Sequence, residues 1–409
     1  MKKLVSAAVI AALVAGAANA EVKLSANARV QSNILKSTLA KSDSDSNHND
    51  WFNLKGWGDA KDTVSVSANE DFGGLTVTTT FNSTTVAEQY ATLDTYKAYL
   101  KFGAFTLSGG KFGTRNADRP RNNATDVNLL DGNAGKWGVN PDLKATYGKD
   151  FDNITAIKGD SHLSLLGEYA IKDALPGTLT FFGSLTENDT ADYNEEGKVK
   201  DTTAKSSILY RNYSKNTVYS GWSVGAVYNQ KGAVKVEALA RSFTENVFGA
   251  GLYADLLMVE NLNLGLGFTF VNDSTENAKN SAWAAQTMTS YKISDELTTT
   301  LQARFSNYKA EDVDAETSLE VVAGVRYIAS DTFRCGLEAG VYMNDLDDND
   351  ENANGKNHLT VFPTLQVNSG KNAYFCTGVN FDTKLDTGDM TDTATVTTIT
   401  VPFIVRVKM

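Results

Sequence analysis

The chain has 409 residues, with 38 lysines and arginines against 49 aspartates and glutamates, a formal charge of −11. That balance argues against nucleic acid as a partner and for solubility at exposed surfaces. The three histidines, His48, His162 and His358, share no metal-ligand spacing, and no later stretch approaches 18 consecutive apolar residues, so beyond its N-terminus the chain is either soluble or spans a membrane as strands.

The first element is a signal peptide. Lys2 and Lys3 precede an apolar run from Leu4 to Ala18, and Ala18-Asn19-Ala20 supplies small residues for cleavage after Ala20. The alternative, a membrane anchor, needs about 20 apolar residues, more than this run holds. Cleavage leaves residues 21 to 409, in which 36 basic residues face 49 acidic ones, a formal charge of −13.

The mature chain opens with "EVKLSANARV", where Val22, Leu24, Ala26, Ala28 and Val30 alternate with Lys23, Ser25, Asn27 and Arg29. The pattern predicts a strand over 21 to 31 with one apolar and one polar face. Further along, "AVKVEALAR" sets Val234, Val236, Ala238 and Ala240 against Lys235, Glu237 and Arg241, and "NLNLGLGFTF" has an apolar face from Leu262 to Phe270. "ELTTTLQARF" sets Leu297, Leu301, Ala303 and Phe305 against Thr298, Gln302 and Arg304. Segments of about 10 residues suit a tilted strand crossing a bilayer.

Connections alternate as well. Tight turns at 71 to 74, 174 to 177, 230 to 233, 293 to 296, 329 to 332 and 368 to 371 take turns with polar loops. The loops are read at 32 to 60, 85 to 92, 114 to 160, 188 to 216, 273 to 280, 309 to 316, 344 to 357 and 383 to 393. Short turns at one end and long loops at the other predict an all-β chain forming one transmembrane antiparallel barrel, with short periplasmic turns and long extracellular loops. The alternation gives about 18 strands, or 16 if one pair near residues 143 to 230 is miscounted. Pairing of the first strand with the last, roughly 394 to 409, closes the sheet and removes its edges.

At this point the chain resembles the bacterial outer-membrane porins, as a pattern covering all of residues 21 to 409. The most porin-like piece is "KAYLKFGAFTLSGGKFGTRNADRPR", residues 97 to 121: two strands about a tight turn near Gly103, then a long basic segment. The resemblance implies a bacterial outer-membrane location and passive diffusion of small hydrophilic solutes and ions. It also implies insertion by the barrel-assembly machinery, contact with lipid and lipopolysaccharide, and a homotrimer. In porins the long loop at this place folds into the lumen; by resemblance that role falls on 114 to 160, with Arg115, Arg119 and Arg121 lining the constriction. The C-terminal "ITVPFIVRVKM" keeps Ile399, Val401, Phe403, Val405, Val407 and Met409 in one phase, although porins usually end in Phe or Trp.

Other candidate residues follow from the alternation. The polar faces carry Arg29, Lys97, Lys101, Lys235, Arg241, Arg304, Arg326 and Arg334 beside Glu168, Glu237, Asp255, Glu320, Glu338 and Asp382. Mixed charges facing inward imply a wet lumen, since unpaired ions in a dry interior cost several kcal/mol each. Acidic side chains concentrate in the predicted outer loops. In "DLDDNDENANGK", Asp345, Asp347, Asp348 and Asp350 could hold a divalent cation weakly, but Asp350 and Lys356 replace the Gly and Glu of a calcium loop, and a solvated loop is the simpler reading. Trp283, Tyr291 and Tyr327 fit interfacial girdles.

Two strings invite a chemical reading and lose it. "GWSVG", Gly221 to Gly225, matches a nucleophile elbow but lies inside an alternating strand pattern, and His162 beside Ser161 and Ser164 shows no catalytic arrangement. No enzyme and no cofactor are expected. Cys335 falls on an apolar face and Cys376 on a polar one, two strands along, so no disulfide is expected. A surface adhesin or structural barrel without transport stays open as the alternative to a channel.

Overall fold

The structure is a computed structural model. It describes residues 21–40, 48–53, 59–82, 90–112, 163–187, 220–242, 247–274, 280–309, 315–343, 346, 357–385 and 395–409. Every regular element among them is a strand. In chain order these are β1 (Glu21–Ala40), β2 (His48–Asn53), β3 (Asp59–Glu70), β4 (Gly73–Asn82), β5 (Tyr90–Phe102), β6 (Phe105–Lys111) and β7 (Leu163–Ala174). There follow β8 (Gly177–Glu187), β9 (Ser220–Gln230), β10 (Val234–Ser242), β11 (Val247–Leu256), β12 (Leu262–Asp273), β13 (Asn280–Lys292) and β14 (Leu297–Lys309). The last are β15 (Glu316–Ile328), β16 (Phe333–Met343), β17 (His358–Asn368), β18 (Ala373–Gly378), β19 (Asn380–Lys384) and β20 (Thr395–Lys408).

Apart from β2 with β3 and β18 with β19, consecutive strands pair antiparallel, and β1 pairs with β20, so the sheet is a closed ring. Both β2 and β3 pair with β1, one beyond the other, and β18 and β19 share β17 and β20 in the same way. Each pair is one interrupted barrel strand, which makes the ring an 18-strand barrel. The reading of about 18 strands holds. Closure reaches the last residue: the Met409 amide donates to the Ala26 carbonyl at 2.8 Å, and the Ala26 amide to that of Met409 at 2.8 Å.

Two prolines explain two irregularities. Pro363 in β17 has no amide hydrogen to give to the ladder, and opposite it β18 and β19 part at Val379, whose own amide donates to the Pro363 carbonyl at 3.1 Å. Pro402 in β20 faces Asn33, and the register slips there between Asn33 and Leu35. The bulge at Ile34 reverses the phase of β1: Val22 and Leu24 point outward before it, Leu39 after it. This corrects the reading of 32 to 60 as a loop. The strand runs to Ala40, and His48–Asn53 is a strand too. Smaller corrections are residues 90–92 of β5, Asp273 of β12, Asn280 of β13, Lys309 of β14, Glu316 of β15, and Thr383 and Lys384 of β19, all strand residues at the edges of the expected loops.

The short turns have local causes. Gly103 takes φ 62 in the two-residue link between β5 and β6, a conformation open to glycine. Between β13 and β14, Ser294 Oγ accepts from the Leu297 amide at 3.1 Å, and Lys292 Nζ reaches Asp295 Oδ1 at 2.5 Å, whose hydrogen bond and charge hold that exposed carboxyl below its ordinary range.

The two faces of the sheet meet different surroundings. Outward residues such as Leu24, Leu252, Phe181 and Leu185 are about half exposed or more, whereas inward Leu166, Ser184, Arg304 and Thr360 are nearly covered. The outer band is apolar and aromatic. Trp283 lies between Phe268 and Phe305 with centroids 6.3 and 5.5 Å away, towards the end with the long connections, and Phe102, Tyr169, Tyr291 and Tyr327 stand exposed near the short turns. A closed barrel with an apolar exterior and two aromatic girdles belongs in an outer membrane.

Cys335 points outward from β16 and Cys376 inward from β18, with β17 between them, and both thiols are free. In the folded barrel Cys376, fully covered, is expected to resist thiol reagents, and denaturation without reductant to release two labelled thiols per chain. A mobility shift on reduction of the denatured chain, with no labelling beforehand, would contradict this register.

Candidate functional site in the barrel lumen

The candidate site is the inner wall, and alternation puts each residue on it. Lys97 and Lys101 lie on the inward face of β5, Lys235, Glu237 and Arg241 on that of β10, Arg304 on β14, Arg326 on β15, and Arg334 and Glu338 on β16. Asp255 faces Lys235 across the β10–β11 ladder, and Glu168 lies on β7 two strands from Lys101. Arg115, Arg119, Arg121, Asp345, Asp347, Asp348, Asp350, His162 and the cleavage site after Ala20 lie outside the described residues. For Arg29 only the backbone position in β1 is described.

Register converts these positions into pairs. Arg304 and Glu320 face each other across β14 and β15 and form an ion pair with side chains 2% and 11% exposed. Arg326 donates to Thr298 Oγ1 at 3.4 Å. His358 Nδ1 lies 2.9 Å from Asp382 Oδ1. Continued strand to strand, one transverse row reads Glu237, Tyr253, Gly267, Gln286, Arg304, Glu320, Tyr342, His358 and Lys384. Charged and hydrogen-bonding side chains thus cross half of the wall, interrupted only at Gly267.

The wall also carries apolar residues that alternation alone assigned to no role. Phe112, just past the end of β6, and Leu166, Phe182, Val227, Leu239 and Tyr253 on the inward faces of β7 to β11 form a buried cluster. The signal was there: in "LSLLGEYA", Leu166 shares its phase with Ser164 and Glu168. Phe182 lies against Gly225 of β9, where an added Cβ would come within 2.6 Å of its ring, and Phe362 lies likewise against Gly378. Bulky rings lie along the wall over glycines of the next strand, which keeps them from standing into the lumen.

Among the described residues no group of three or more His, Cys, Asp or Glu is arranged to hold a metal. Ser223 of the "GWSVG" string sits in mid-strand on β9, 2% exposed, with its Oγ 2.5 Å from Ser184 Oγ. It is part of a strand, so the strand-to-helix turn of a nucleophile elbow is not formed.

The structure is similar to the anion-selective porin from Comamonas acidovorans, with a TM-score of 0.54, 9% identity, and 95% of this chain and 100% of that one covered. It is similar to OccK3 (OpdO) of Pseudomonas aeruginosa, with a TM-score of 0.54, 8% identity and 95% and 96% covered. OccK11 (OpdR) of the same organism gives 0.53, 9%, and again 95% and 96%. At these identities the likeness is one of fold, and the fold is that of the outer-membrane porins. A family described as "Protein of unknown function, DUF481" matches residues 230–409. No curated protein matches the sequence.

Proposed function

We propose that the barrel is a water-filled channel through which small hydrophilic solutes and ions diffuse passively across the outer membrane. The observation that carries this reading is a closed ring of 18 strands, apolar outside and charged inside. Barrels of 16 to 18 strands are wide enough to leave an aqueous path, whereas about 8 strands fill with side chains. The porin fold of the neighbours supports the same reading. Contact of the acidic outer loops with lipopolysaccharide, insertion by the barrel-assembly machinery and a homotrimeric assembly belong to the proposal.

Selectivity in this reading is set where the path is narrowest. The segment 114 to 160 has 47 residues, more than a hairpin loop needs, and it carries Arg115, Arg119 and Arg121 close together. Placed inside the bore, their guanidinium groups stand within a Debye length, about 8 to 10 Å, of passing ions. Trimming 122 to 140 is then expected to raise single-channel conductance, and the double change R119E/R121E to move the reversal potential in a salt gradient towards cations. Variants that insert and conduct like the parent would remove this segment from the constriction.

Solute passage itself is tested by swelling of liposomes carrying the refolded chain, with sugars of increasing size. Swelling that falls with solute size supports a diffusion channel. A folded barrel that admits none of them would move the assignment to a surface or structural role.

A further inference from the structure

The cations of the inner wall differ in how they are held. Arg304 is covered and ion-paired with Glu320. Lys101 is exposed and Lys97 half-buried, and among the described residues neither has a carboxylate within ion-pair distance. Both instead lie over aromatic rings: Lys101 Nζ is 5.5 Å from the centre of Tyr99, and Lys97 Nζ is 6.0 Å from Tyr99 and 5.1 Å from Phe112. Neither lysine is left to wander in the lumen.

Tyr99 is a fixed platform for them. Its ring lies across Gly74 of β4, where an added Cβ would come within 2.7 Å of a ring carbon, and its hydroxyl donates to Asn69 Oδ1 of β3 at 2.9 Å. The ring is therefore pinned flat to the wall across two strands. Residues 97, 99 and 101 share one face of β5, and the backbone places Lys97 and Lys101 about 13 Å apart, while the common ring draws both ammonium groups in. The result is two positive charges held within about 6 Å of the centre of one ring, on a wall segment two residues from the short turn at Gly103.

From this geometry we infer that Lys97, Tyr99 and Lys101 form a binding station for small dianions, carrying carboxylate or phosphate oxygens, on the periplasmic stretch of the path. The inference rests on the channel reading for its role in transport, but the station itself is a property of the folded wall. Two ammonium groups already positioned against aromatic faces lose little freedom when an anion arrives. A monoanion engages one of them, and a solute with two separated charges engages both. The acids around the patch are Glu168, two strands from Lys101, and Glu70 and Asp71 in the turn before β4, where the Phe72 carbonyl accepts from the Lys101 amide at 2.7 Å; among the described residues none of them is ion-paired with either lysine.

The test is equilibrium titration of the detergent-folded barrel with succinate and, separately, with inorganic phosphate, by calorimetry. This readout does not depend on conduction, so a silent barrel leaves the station measurable and a conducting barrel without binding overturns the station alone. Saturable binding is expected, weakened about tenfold in K97Q and in K101Q, and reduced in Y99L, which keeps both charges but removes the platform. K235Q, a lysine facing Asp255 five strands further round the wall, is expected to change it less than about twofold. Preference for succinate or for phosphate names the source of the charge, and either one upholds the station. Absence of saturable binding to both, or equal weakening in all three lysine variants, would show only the diffuse field of the lumen and overturn it.

Discussion

Replacing Arg304 with alanine is expected to lower the stability of the barrel by about 3 to 5 kcal/mol, because the Glu320 carboxylate would keep its covered position and lose its cation. The two side chains are 2% and 11% exposed, so water reaches them poorly in the intact wall. Replacing both residues with methionine should recover much of that loss, since the cost lies in stranding one charge rather than in lacking the pair. Urea unfolding of the two single variants and the double variant in lipid vesicles measures the coupling. Additive losses would mean that water or other groups solvate Glu320 in place of Arg304.

The second large effect concerns the lipid face. Leu252 stands in the middle of β11, half exposed, between Ala238 and Phe268 on the flanking strands, and Leu252→Arg should cost about 2 to 4 kcal/mol. Arginine at Leu24, near the periplasmic start of β1, should cost only about 0 to 1 kcal/mol because the side chain reaches the interface. At Thr180, on the inward face of β8, the cost should again be small. The same urea titration orders the three. Equal losses at Leu252 and Thr180 would mean that the two faces meet the same solvent.

What alternation could reveal was the face each residue takes. Val22 to Val30 and Ile399 to Met409 declared an apolar phase, and from the even strand count came the pairing of first with last, seen in the Ala26–Met409 hydrogen bonds. The separation of Cys335 from Cys376 followed from the same parity. Hidden from parity were the places where it breaks. The bulge at Ile34 reverses the phase of β1 and carried strand residues into what reads as loop, and its cause, Pro402, lies on the far end of the chain.

The wall's composition was legible residue by residue, its partnerships were not. Arg304, Glu320 and Asp382 could be assigned inward, but that Arg304 meets Glu320 and His358 meets Asp382 depends on register across a connection, which no local pattern fixes. His358 read as one of three scattered histidines. Leu166, Phe182 and Leu239 sit on the polar phase and signal an apolar stretch of inner wall only once neighbouring strands are aligned. Tyr99 gains its part in the same way, because Gly74 and Asn69 come beneath it only in the paired sheet.

The central claim is that this ring of strands encloses a path for ions, and current through single molecules tests it most directly. Purified chain, refolded in detergent and added to a planar lipid bilayer, should produce discrete upward steps of uniform size, with a conductance that rises with salt concentration and steps that stay open at low voltage. A preparation shown to be folded and inserted that leaves the membrane silent would contradict the account.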